Sequence, residues 1–182
     1  MKRCEAAEFL EGSEAYYEAA CRVLSQSAFF CVLAKTPTLL LPQEKQSLWR
    51  RKYFSLAMKK IKQGMPTTYI FSEPETVAKL REITSPKQLK RTLDAWRKFA
   101  ALKNFDLRRV ADSDFSSMVF GNELLAVAEK HPKTGKSIAA TIKPIQTSAK
   151  QLKEFFAARK RSKTVCCRYL DGLEKGLLKT PR

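Results

Sequence analysis

A chain of 182 residues with 44% hydrophobic side chains can bury one core of its own. Its 35 Lys and Arg against 18 Asp and Glu leave a formal charge of +17, and its single histidine, His131, excludes chemistry that needs two imidazoles in one subunit. The longest apolar run, Ala28 to Ala34, is far shorter than the ~20 residues that cross a bilayer, and no apolar region follows Met1-Lys2-Arg3-Cys4, so neither a membrane span nor a secretory leader is expected.

The charge is unevenly spread. Residues 1–18 carry two basic and five acidic side chains, so the basic excess belongs to the rest of the chain. After Gly12, Ser13 is an N-cap candidate for a helix through Leu24, with Tyr16, Ala20, Val23 and Leu24 on one stripe. Ala28 to Ala34 reads as a buried strand, with Pro37 and Pro42 in its irregular exit. Gln43 to Gln63 is the clearest amphipathic helix. Trp49, Tyr53, Phe54, Leu56, Ala57, Met58 and Ile61 form its apolar face, and Gly64 ends it in a left-handed conformation.

Thr67 to Phe71 is predicted to be the second strand, and Pro74 and Glu75 begin a short helix. Ser85-Pro86 caps a helix over Lys87 to Leu102, with Leu89, Leu93, Trp96 and Ala100 in register. Trp49, Tyr53 and Trp96 could stack bases if exposed, but their helical spacing favours core packing. Phe105 to Val110 is a third strand. Phe115 to Phe120 and Glu123 to Ala128 are strands joined by the turn Gly121-Asn122. Across the turn at His131, Ser137 to Lys143 is a further strand, and Thr147 or Ser148 caps a helix with Leu152, Phe155, Phe156 and Ala157 facing inward. Lys160 to Arg182 is a basic tail, partly helical to Leu178. The order α-β-α-β-α-α-β-β-β-β-α describes a single α/β domain over residues 1–182, with helices on both faces of the sheet.

Five cysteines (Cys4, Cys21, Cys31, Cys166 and Cys167) in a chain without a leader point to free thiols in a reducing cytoplasm. Neither a metal nor a cofactor is expected: Cys166-Cys167 lacks chelating spacing. Lys133-Thr134-Gly135-Lys136-Ser137 ends like a phosphate loop but has Lys130 where the first glycine belongs, and it precedes a strand. Asp112 and Asp114, with Asp106 nearby, could work as paired carboxylates, although their place in a turn suits Asp for local hydrogen bonding. His131-x-Lys133 begins an HxKxxxxD pattern, but its acid position is Ile138.

Several segments together resemble a phospholipase D-like domain. They are Ala20 to Leu33, the helix ending Ala57-Met58-Lys59-Lys60-Ile61-Lys62-Gln63-Gly64 before the strand Thr67 to Phe71, the hairpin Phe115 to Val127, and Ser137 to Ala158 with Phe155-Phe156. The resemblance covers about residues 13–160. It implies a catalytic His and Lys around Ser113 to Met118 and an acid near Gly121-Asn122. No His or Lys occurs from Ser113 through Asn122, so no catalytic residue carries over. The pattern is then similar to non-catalytic members such as the effector domain of TrmB-like archaeal transcription regulators. Those add a winged helix, for which the residues before the first helix leave no room. The family's habit of pairing two such domains implies a homodimer.

The charge points to an anionic partner, with nucleic acid first, bound through basic helix faces. Arg50, Arg51, Lys59, Lys60, Lys90, Arg91 and Lys136 are the expected contacts. The alternative is a small-ligand-sensing or adaptor domain with its pocket at the carboxyl ends of the strands.

Overall fold

The apolar run after Phe29 forms a central strand in the computed structural model, which describes residues 7–37, 39–41, 47–130 and 137–179. In chain order the elements are β1 (Glu8–Glu11), α1 (Ala15–Ser25), β2 (Phe30–Ala34), α2 (Leu48–Lys62), β3 (Thr67–Ser72), α3 (Glu73–Arg81) and α4 (Pro86–Ala100). They continue with β4 (Phe105–Val110), β5 (Met118–Phe120), β6 (Leu124–Lys130), β7 (Ser137–Pro144), α5 (Ala149–Arg161), β8 (Lys163–Thr164) and α6 (Cys167–Lys179). A 3-10 turn, Ile145–Thr147, leads into α5.

The strands form one eight-stranded sheet in the order β1-β7-β6-β5-β2-β3-β4-β8. β2, β3 and β4 are parallel, and every other pairing is antiparallel. Parallel neighbours need a crossover, supplied here by α2 and then by α3 with α4. The expected mixed α/β architecture with helices on both faces is therefore present.

Strand alternation divides the core in two. Val32, Tyr69, Phe71, Leu107 and Val119 point to one face, where they meet Leu24 of α1, Tyr53 and Ile61 of α2, Leu80 of α3, Leu93 and Trp96 of α4, and Leu170 of α6. Leu33, Ile70, Met118, Phe120 and Leu125 point to the other, beneath Phe155 and Ala158 of α5. The Trp96 indole donates to the Leu40 carbonyl at 2.6 Å, so this wholly buried ring also fixes the segment after β2.

Some expectations need correction. Glu14, not Ser13, occupies the N-cap of α1, without a side-chain capping bond. Its carboxylate instead accepts from the Trp49 backbone N–H at 3.1 Å, tying the start of α2 to that of α1. The strand read from Phe115 begins only at Met118. Phe156 and Ala157 face outward, because a helix lying singly on a sheet needs a stripe of Leu152, Phe155 and Ala158 and no more. β1 and β8 were not expected. They pair at the two sheet edges with β7 and β4. The tail folds back as α6 and buries Leu170 and Leu177.

Candidate nucleic-acid interface

α2 holds itself to the sheet by a narrow stripe, Tyr53, Ala57 and Ile61, at successive four-residue steps. Gly64, at φ 93°, provides its left-handed exit. The rest of its surface carries Arg50, Arg51, Lys52, Lys59, Lys60 and Lys62 and no carboxylate. None of these six forms an ion pair with a described residue.

Several arginines elsewhere in the fold are neutralised, whereas Lys90 and Arg91 of α4 and Lys150, Lys153 and Lys160 of α5 form no ion pair with a described residue either. Arg97 of α4 binds Asp94, Asp171 and Glu174 at 2.6–2.8 Å, joining α4 to α6. Arg22 of α1 binds Glu8 and Glu18 at 2.7 and 2.6 Å. Arg109 pairs with Glu73 and lies over the Tyr169 ring, 4.0 Å from its centroid.

The expected contact residues separate by role. Arg51 and Lys59 are exposed on α2, and Lys90 and Arg91 are exposed on α4, on the same side of the sheet. Arg50 is half-buried over the Tyr17 ring, and its Nε has no hydrogen-bond partner among the described residues. Lys60 is committed elsewhere: its ammonium donates to the carbonyls of Leu24, Ser25 and Ser27 at the end of α1. Lys136 and His131 lie outside the described residues.

Sequence reasoning left out Lys52 and Lys62, both exposed on the same helix. It weighed base stacking against core packing for Trp49, Tyr53 and Trp96 and favoured core packing for all three. Tyr53 and Trp96 are buried, and Trp49 is half-buried against the same core, with the Lys52 ammonium 4.4 Å from its ring centroid. The missed signal was the absence of any Asp or Glu from Leu48 to Lys62.

A second polar region lies around the carboxyl ends of β3 and β4. Ser72 Oγ, Thr76 Oγ1, Arg109 Nε and Asp112 Oδ1 are buried there without a hydrogen-bond partner among the described residues. Asp112 is held by Arg161 at 3.1 Å, and Asp106 by Arg108 at 3.4 Å. These carboxylates face guanidinium groups rather than each other. No group of three or more described His, Cys, Asp or Glu residues is placed to hold a metal ion. Ser113 to Ser117 form the irregular approach to β5, anchored where the Ser116 N–H donates to Glu154 at 2.7 Å. No described helix is long and apolar enough to cross a membrane.

The fold is phospholipase D-like. TrmBL2, an archaeal chromatin protein with a novel mode of DNA binding, superimposes with a TM-score of 0.58 at 12% identity, over 88% of this chain and 55% of that one. Phosphatidylserine synthase from Haemophilus influenzae gives 0.54 at 14% identity, over 96% of this chain and 44% of that one. Nuc, a phospholipase D family member from Salmonella typhimurium, gives 0.50 at 11% identity, over 88% and 98%. This chain thus spans about half the length of the first two and nearly all of the third. No protein-family model matches the sequence, and no curated protein is significantly similar to it.

Proposed function

We propose that the chain is a non-catalytic phospholipase D-like domain that binds nucleic acid through the exposed cations of α2, extended by Lys90 and Arg91 of α4. The observation that carries this reading is the uncompensated charge of α2. Its four exposed cations, Arg51, Lys52, Lys59 and Lys62, have no carboxylate on the helix, repel one another and gain from a polyanion whose counterions they displace. The likeness to a DNA-binding chromatin protein supports the same partner. The absence of His and Lys from Ser113 through Asn122 supports the non-catalytic half.

Fluorescence anisotropy with a labelled oligonucleotide over a range of salt tests it. Affinity falls by ~0.9 log unit per log unit of salt for each duplex phosphate neutralised, or ~0.7 on a single strand. No binding to DNA or RNA at low salt overturns the reading. Phosphodiester turnover that His131→Ala abolishes overturns its non-catalytic half.

The four buried polar atoms around the carboxyl ends of β3 and β4 that have no hydrogen-bond partner among the described residues favour a second reading, a small-ligand-sensing domain. Thermal-shift measurement against sugars and inorganic anions separates the two, since a ligand of the native state raises the melting temperature.

A further inference from the structure

The helix layer contains a shallow groove of about 520 Å³ between α1 and α2, lined by Cys21, Arg22, Trp49, Lys52, Leu56 and Lys59 among others. The floor is apolar at Cys21 and Leu56. An indole stands at one end, and two lysines without carboxylate partners among the described residues line α2. Arg22, on the α1 side, is already neutralised by Glu8 and Glu18. Net positive charge in the groove therefore comes from Lys52 and Lys59, two helical turns and about 10 Å apart along the axis.

Trp49 is held in place from its backbone, whose N–H donates to the Glu14 carboxylate at 3.1 Å. Its ring is half-buried, packed against the core beneath α2, and presents a π-face to the Lys52 ammonium. We infer that this groove takes a single-stranded segment of nucleic acid, with one base stacked on Trp49 and the adjoining phosphates on Lys52 and Lys59. The inference rests on the nucleic-acid reading of α2 and names the form of ligand it prefers. In a duplex the neighbouring base pairs cover each π-face, so a ring recessed between two helices reaches only a base turned out of the stack. Stacking moves the Lys52 ammonium from the ring to the phosphate beside it.

The sequence has two tryptophans, and Trp96 is wholly buried, so a ligand-induced change in intrinsic fluorescence reports on Trp49 above a constant Trp96 background. Titrating the full chain with oligothymidylate is expected to quench that emission saturably, at concentrations where a duplex of equal length quenches less. By anisotropy, Trp49→Ala is expected to weaken single-strand binding about 5- to 150-fold, whereas Trp49→Phe, which keeps a π-face, retains most of the affinity. Saturating single-strand binding without quenching in the native chain overturns the inference, and this needs no variant to fold. Equal or tighter duplex binding, or unchanged affinity in a folded Trp49→Ala chain, also overturns it while leaving the cationic α2 reading intact. Failure of every oligonucleotide to bind overturns both.

Discussion

The ammonium of Lys60 closes the C-terminal turn of α1, donating to the carbonyls of Leu24, Ser25 and Ser27. A helix leaves its last carbonyls without internal partners, and a cation there meets both the open acceptors and the negative end of the dipole. Lys60→Met keeps the aliphatic stem and removes the donors. We expect it to lower stability by about 1–2 kcal/mol in urea unfolding. Its oligonucleotide affinity is expected to change less than that of Lys59→Met. The reverse ranking in anisotropy titrations would show that Lys60 serves the ligand instead.

Gly121 begins the turn between β5 and β6, and a Cβ placed there would lie 1.7 Å from Ser27 Oγ and 2.4 Å from Ser27 Cβ. Ser27 has little room to yield, since its hydroxyl donates to the Val23 carbonyl at 2.6 Å and its neighbour Ala28 donates from its backbone to the Asn122 side chain at 2.7 Å. Gly121→Ala is therefore expected to cost about 1–3 kcal/mol through overpacking. Adding Ser27→Gly to that variant is expected to recover part of the loss. Thermal unfolding of the single and double variants measures both effects.

Burial pushes the thiols of Cys21 and Cys31 from 9.0 up to about 11. Between those values the folded chain keeps protons that the unfolded chain releases. Their contribution to stability is complete below pH 9 and is lost as pH rises through 11. Urea midpoints compared for the native chain and Cys21→Ala/Cys31→Ala are expected to converge over that window. Cys166 and Cys167 are exposed, and site-resolved alkylation at pH 8 is expected to modify them before Cys21 and Cys31. Early modification of Cys21 would contradict its burial.

Local signals made much of this fold legible. Ser85 accepts from the Gln88 N–H as the N-cap of α4, β4 has the bounds read from Phe105 to Val110, and Gly121-Asn122 turns β5 into β6. β1 was illegible because four residues, two of them glutamates, become a strand only by pairing with β7 far along the chain. Outward Phe156 was misread because spacing shows which residues share a stripe, not how wide a stripe the partner surface covers. The basic faces were visible as composition. The commitment of Lys60 was not, since its acceptors belong to a helix that ends 35 residues earlier. For Trp49 the spacing that matches Tyr53 showed the side of the helix but not the depth: its ring packs against the core and stays only half-buried.

Charge alone could produce weak binding anywhere on so basic a chain, so the decisive measurement holds net charge constant. Two variants each replace four cations by glutamine: Arg51, Lys52, Lys59 and Lys62 on α2, or Lys150, Lys153, Arg159 and Lys160 on α5, across the sheet. Oligonucleotide affinity for both is then measured by anisotropy against salt. The account predicts that the α2 variant loses both affinity and salt slope while the α5 variant retains most of each. Equal losses, or a greater loss from α5, would contradict it.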